Sequence, residues 1–280
     1  MYAGGIADKL GNRYEAKWLV LQFLEVLGGK ADSIKFEGID ATFQGFEFSL
    51  VRHGVTEWHQ TKINSPNGNW TIRALEKEGV LSAFKRRLSA NARDICVFVS
   101  QHPAKDIDAL AKKASIAKSC DEYRKSLGKE GNDVFDQLKV VWSVDDGNVY
   151  DWLKRSIFRI ESQPSIEGIT DTYCDFYFDH STKNGFESLR DFLERRLNTE
   201  INTDTARSEI RTEGKLKLKD YALDATLPQR MRDATASYLD TYTPFGAGNE
   251  VISRQEAEQL AAKCLDSNGP TVLLLTGVAG

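Results

Sequence analysis

Apolar and polar residues are spaced in different ways along this chain, and each spacing predicts an element. Over residues 13–27, RYEAKWLVLQFLEVL, apolar side chains recur with helical period; Asn12 stands ready to cap this helix and Gly28-Gly29 to stop it. Short runs rich in aromatic and β-branched residues follow at 33–37, 46–52 and 55–63 and read as strands. SPNGN, 65–69, is a loop, and WTIRALEKEGVLSAFKRRL, 70–88, reads as one or two helices. DICVFVS, 94–100, is a compact buried strand with the helix PAKDIDALAKKAS, 103–115, behind it. From 132 to about 200 the pattern is mostly helical, as in YDWLKRSIFRI and FESLRDFLERRL. The order helix, three strands, helix, strand, helix predicts a small α/β core around a sheet that contains a hairpin.

The hairpin can be registered from the sequence. In FEFSLVRHGVTEWHQTK, 46–62, a His53-Gly54 pair suits a two-residue turn. Arg52 then faces Val55, and counting outward sets Glu47 across from Gln60. Alternation brings Lys62 to the same face, so one face of one hairpin carries Glu47, Gln60 and Lys62. On geometry alone such a triplet is a solvated polar face, the commoner use of these residues. A slip of one residue would destroy it.

Composition changes this picture only at its margins. The chain has 280 residues, 41% hydrophobic and 28% charged, which suits one or two globular domains. A net charge of −4 makes no general case for nucleic acid, so local basic patches must carry any such claim. No apolar run reaches membrane length, and MYAGGIADKLGNRYE is no signal peptide; the expectation is a cytoplasmic protein without a membrane partner. Cys96, Cys120, Cys174 and Cys264 are scattered and form no CxxC pair, so reduced, buried thiols are expected. The four histidines are equally dispersed, which argues against a zinc site.

A helix, an acid-bearing strand and a strand ending in x-x-Lys is the order found in PD-(D/E)xK metal-dependent nucleases. Phosphodiester hydrolysis needs a divalent cation to activate water and to offset charge in the transition state. Hard cations take oxygen ligands, and a lysine beside the cation orients the water. GFEFSLVRHGVTEWHQTKIN resembles the G-x-E-F…E-x-H-Q-x-K signature of nuclease domains fused to bacterial NTPases. These are similar to the double-stranded DNA endonuclease domains of cyclic-oligonucleotide-activated anti-phage effectors, and more remotely to Mrr-type restriction nucleases. RYEAKWLVLQFLEVL matches the opening helix of that family and CVFVSQHPAKDIDALAKKA its later strand–helix unit. The resemblance covers roughly residues 10–120 well, and 120–205 in helical character only.

The resemblance implies a restriction-endonuclease-like core with a helical C-terminal extension, and Mg2+ or Mn2+ as cofactor. It makes Glu47 the metal-binding acid, Gln60 the second ligand in place of the more usual acid, and Lys62 the catalytic lysine. Glu15 is the helix-borne acid, although an ordinary helix-surface acid suits that position equally well. Asp40, in FEGIDATF, is the rival of Glu47 as metal ligand; the cross-strand argument favours Glu47. His59 alternates off the Gln60 face and reads as structural, and Trp58 and Trp70 read as packing residues. For the phosphates of double-stranded DNA the candidates are Lys85, Arg86 and Arg87 in AFKRRL, with Arg73 one helix face away; such a run is more usually a solvated face.

The chain ends TVLLLTGVAG, an apolar strand running into Gly277-Val278-Ala279-Gly280, as a Walker A loop begins. The expected organisation is a nuclease effector at 1–205, a linker at 206–248, and the start of a STAND-type P-loop NTPase at 249–280. Gly277 and Gly280 would touch nucleotide, and ATP would bind only in a full-length protein, because the loop's Lys and Ser/Thr are missing here. The expected partners are double-stranded DNA, further copies of the chain on activation, and a phage trigger sensed by the absent C-terminal part. Two other readings are a catalytically inactive DNA-binding or adaptor module of the same fold, and a regulatory piece of an NTPase.

Overall fold

The structure is a computed structural model that describes residues 13–36, 43–63, 68–179, 185–213 and 216–219. The chain divides into two units at Leu223/Asp224, and every described residue lies in the first. Asp40, Cys264, Gly277 and Gly280 lie outside the described residues.

Described in chain order, the first unit begins with α1 (Arg13–Leu27), β1 (Ser33–Phe36), β2 (Phe48–Arg52) and β3 (Val55–Lys62). Next come α2 (Ile72–Lys77), α3 (Val80–Ala90), β4 (Ile95–Ser100), α4 (Lys105–Ile116), α5 (Cys120–Ser126), α6 (Lys129–Trp142) and α7 (Asp146–Lys154). The unit closes with β5 (Ser156–Ile160), α8 (Gln163–Tyr177), α9 (Gly185–Glu194), β6 (Glu200–Asn202) and α10 (Thr203–Glu213).

One six-stranded mixed sheet, in the order β5-β4-β3-β2-β1-β6, organises these elements. β1 pairs antiparallel with β2 and β6, β2 antiparallel with β3, and β3–β4 and β4–β5 run parallel. The hairpin forms in the expected register, Arg52 facing Val55 and Phe48 facing His59, around a His53-Gly54 turn in which both residues have positive φ. In the parallel half, Lys62, Ser100 and Ile160 lie level, so β3, β4 and β5 end together.

Each face of the sheet has its own core. Under one face lies α1, which buries Tyr14, Trp18, Leu19, Val20, Phe23, Leu24 and Val26 because it is enclosed between the sheet and α8–α10. A helix so enclosed is apolar nearly all round rather than on one stripe. Under the other face, α2–α7 enclose a core of Trp58, Cys96, Phe98 and Phe158 from the sheet with Phe84, Phe135 and Trp142 from the helices and Trp70 from the loop before α2. Residues 70–90 divide into two helices at Gly79, whose φ of 76° lies in the left-handed region that glycine tolerates.

Four expectations change. SIFRI, read with the preceding helix, is the edge strand β5, since the helix ends at Lys154 and Ser156–Ile160 pairs with β4. EIN at 200–202 forms a short strand against β1. The proposed linker begins too early: α10 seats Ala206 and Ile210 in the α1 core, and Leu216 and Leu218 are buried beyond it. The charges that suggested a linker are the outer face of this helix, where Glu209 and Glu213 pair with Arg195 and Arg196. Among the described residues Cys96, Cys120 and Cys174 are unpaired, as expected, but of these three only Cys96 is buried, the other two being half-buried. Among the described residues no helix is long and apolar enough to cross a membrane.

Candidate active site at the end of the central strands

β3 carries most of the candidate site. Its alternation sends Trp58, Gln60 and Lys62 to one face and Glu57, His59 and Thr61 to the other. Gln60 is 3% exposed, and its Oε1 is buried with no hydrogen-bond partner. A buried carbonyl without a donor costs about 1–3 kcal/mol, so a sequence retains it against its own stability. Lys62, one alternation further along, is half-buried at the strand end.

Glu47 enters from the neighbouring strand, one residue before the regular ladder of β2 begins. The expected partner was Gln60. Instead the Glu47 N–H reaches the His59 carbonyl at 2.9 Å, and its carboxylate Oε2 accepts from the Thr61 N–H at 2.9 Å. The step off register aims the carboxylate along β3, toward its last residues. Burial pushes the Glu47 carboxyl up to about 8, Glu15 adds repulsion, and the Thr61 amide and the Lys62 charge act in the opposite sense. Glu15 on α1 and Lys62 on β3 are thus both electrically coupled to Glu47.

The structure therefore brings Glu15, Glu47 and Lys62 into one electrostatic neighbourhood, with Gln60 between Lys62 and the residues that hold Glu47. Carboxylate oxygens and an amide oxygen without a donor are the ligand types that a hard cation takes. Among the described residues there is no cluster of three or more His, Cys, Asp or Glu side chains suited to a metal. Any cation here would depend on the glutamine.

The basic candidates divide. Arg87 pairs with the buried Asp94 and stacks 3.7 Å above Trp58, whose Nε1 donates to the same carboxylate at 3.0 Å; this guanidinium is engaged in packing. Arg86 donates to the Gln44 carbonyl at 2.8 Å. Arg73 is exposed and lines a groove with Glu76, Asp133 and Asp136, and Lys85 is half-buried on α3. Trp58 and Trp70 are buried packing residues, as read from the sequence.

His59 is 1% exposed and stacked on Phe48, with ring centroids 4.5 Å apart and planes 12° from parallel. Burial pulls its pKa down despite the adjacent Glu57. Sequence reasoning missed two contributors. The Thr61 amide holds Glu47 through the backbone, which no residue pattern reveals. Trp18 bonds to His59 across 41 positions of sequence, and the only local hint is its place one helical turn after Glu15.

No protein-family model matches the chain, and no curated protein sequence matches it. Among solved structures it is similar to the Cap4 SAVED/CARF-domain containing receptor of Acinetobacter baumannii, at TM-score 0.46 and 15% identity over 79% of this chain and 48% of the receptor. The same receptor with the cyclic trinucleotide 3'3'3'-cAAA gives TM-score 0.46, 15% identity, and coverage of 79% and 46%. The Moraxella osloensis Cap4 receptor gives TM-score 0.42 and 13% identity over 74% and 48%. The chain spans about half the length of these receptors.

Proposed function

We propose that this chain is the effector domain of an anti-phage NTPase, and that it cuts double-stranded DNA in a divalent-cation-dependent reaction on a restriction-endonuclease-like core. The observation that carries this reading is the buried, donorless Gln60 Oε1 on the strand whose next residues hold and influence Glu47, Thr61 through its amide and Lys62 through its charge. An inert surface would have no use for such an atom.

A bound Mg2+ or Mn2+ supplies Lewis acidity at the scissile phosphate and lowers the pKa of the attacking water. The chain's own groups divide the remaining work. Glu47 and Glu15 offer carboxylate oxygens, and Gln60 offers a neutral carbonyl. The Thr61 amide fixes the rotation of the Glu47 carboxylate. Lys62 orients the water and offsets negative charge that grows on the phosphate oxygens, the largest single contribution of a preorganised site. Lys85 and Arg73 supply sequence-independent phosphate contacts. Assembly of several copies is the switch that a non-selective nuclease requires.

The test is incubation with supercoiled plasmid and Mg2+ at rising protein concentration. Linear product that EDTA or Glu47→Ala suppresses is expected, with specific activity rising with concentration. Asp40→Ala should match the wild type unless Asp40 shares the cation. Plasmid left intact under Mg2+ and Mn2+, yet retarded in a gel by the protein, would replace the enzyme with a DNA-binding module that has lost its chemistry.

A further inference from the structure

Among the described residues the two most exposed large apolar side chains are Ile116, 82% exposed, and Val140, 76% exposed. Val140 lies in a groove of about 570 Å3 between α2 and α6, where Ile72 and Val141 complete the apolar lining. Glu76, Asp133 and Asp136 stand around it against one cation, Arg73. Asp136 is paired with Arg124 at 3.0 Å, whereas Glu76 and Asp133 have no ion pair among the described residues.

Ile116 is the last residue of α4 and stands out from it as an apolar knob. Lys112 and Lys113 precede it by one helical turn and share its face, and Lys118 follows just beyond the helix. Lys112 is engaged by Asp108 at 2.6 Å, and Glu122 turns back to accept from the Lys118 N–H at 3.2 Å. The Lys113 and Lys118 ammonium groups have no ion pair among the described residues. A knob flanked by lysines and a groove rimmed by carboxylates match in both polarity and charge. Both are exposed, so neither covers the other within one copy.

We propose that Ile116 and its lysines seat in the α2–α6 groove of a second copy of this chain. The contact joins two different surfaces, so a pair retains one free knob and one free groove to which further copies can add. It deepens the reading given above and rests on it for its use, since that reading requires assembly as the switch of the nuclease. α2 begins just after Trp70, whose indole donates to Ser100 Oγ at 2.7 Å, and Ser100 stands level with Lys62. A copy seated in the groove therefore adjoins the strand end that carries the candidate site. One isoleucine and its flanks bury less than a standard interface, which makes the association weak and dependent on concentration.

Sedimentation velocity of the 280-residue chain without DNA should show a mass that rises with protein concentration and falls with added salt. Ile116→Asp and Val140→Asp change exposed side chains and should leave the melting temperature unchanged. Each variant alone should stay monomeric at concentrations where the wild type associates. Ile116→Asp keeps its groove and Val140→Asp keeps its knob, so an equimolar mixture should form pairs again. Damage to the fold does not reverse on mixing. A wild type that stays monomeric up to its solubility limit overturns the proposal. So does undiminished association of either variant, or a mixture that remains monomeric. The plasmid assay keeps the two readings apart. Association with the expected response to substitution, but without cleavage, removes the nuclease and leaves the contact. Cleavage by a wild type that never associates removes the contact and leaves the nuclease.

Discussion

The two halves of β3 treat buried polar groups in opposite ways. In residues 57–59 each has a partner: Glu57 has Arg52 and His59, Trp58 Nε1 has Asp94, and His59 has Trp18. In residues 60–61 the side-chain oxygens do not: Gln60 Oε1 and Thr61 Oγ1 are both buried without a hydrogen bond. Burial and the pairing with β4 continue across this boundary, whereas the regular ladder with β2 ends at His59. What changes is the use of the residues. The first half contributes to the fold, and the second holds polar atoms at a cost in stability, as sites that must bind something else do.

The sharpest break in this comparison should come from Lys62→Ala. Lys62 is the last residue of β3 and half-buried, so its truncation should leave stability within about 0.5 kcal/mol. Plasmid cleavage should fall by about 10³-fold or more, equivalent to about 4 kcal/mol in the barrier. A variant that nicks plasmid at the wild-type rate removes Lys62 from the chemistry.

Trp58→Ala should do the reverse. Trp58 is 6% exposed, lies against Phe43 and Phe46, and carries the Arg87 guanidinium on its ring. Its loss should destabilise by about 3–5 kcal/mol in urea titration. At temperatures where the variant remains folded, Mn2+ affinity should stay near wild type. Loss of affinity without loss of stability would move the boundary between the two halves.

The hairpin half of this contrast was legible in the sequence because its signals are local. A His-Gly turn and strict alternation fix the register, and the register assigns Gln60 and Lys62 to one face. Glu47 was identified but set one position off, because the ladder ends at Phe48 and the carboxylate then turns to an amide. β5 was hidden because SIFRI follows a helical run with no glycine or proline between them, and five apolar-rich residues suit either element. α10 was hidden by its charges, whose partners Arg195 and Arg196 lie on the chain before it. The bond from Trp18 to His59 joins distant segments, and pattern reading within a window does not reach that far.

Gln60→Leu sharpens the contrast from the other side. Replacing a donorless carbonyl by a shorter, branched apolar side chain removes the desolvation penalty. The variant should gain about 1–2 kcal/mol in unfolding free energy. It should also lose cleavage and Mn2+ binding, a gain in stability at the expense of function. A destabilised Gln60→Leu would mean that Oε1 is satisfied in solution by an ordered water, and would narrow the difference between the two halves.

The smallest effect is a pH dependence, and its sign follows from Glu47. Its carboxyl is raised from the ordinary 4.5 to about 8, so between these values the folded chain holds a proton that the unfolded chain has released. The contribution of this group to stability is therefore complete below about 4.5 and is lost as pH rises through about 8. A divalent cation binds the ionised carboxylate, so it must displace that proton, and its affinity should rise with pH over the same window. The slope should be at most tenfold per unit, or about 1.4 kcal/mol. Mn2+ should thus raise the melting temperature more at pH 8.5 than at pH 6.5, through preferential binding to the folded state. In Glu47→Gln no proton has to leave, so both the shift and most of its pH dependence should disappear. Burial pulls the His59 pKa down, away from the value to which Glu47 is raised. A stabilisation by Mn2+ that is equal at both pH values would separate the cation from Glu47, and would leave the donorless Gln60 without the carboxylate that gives it a purpose.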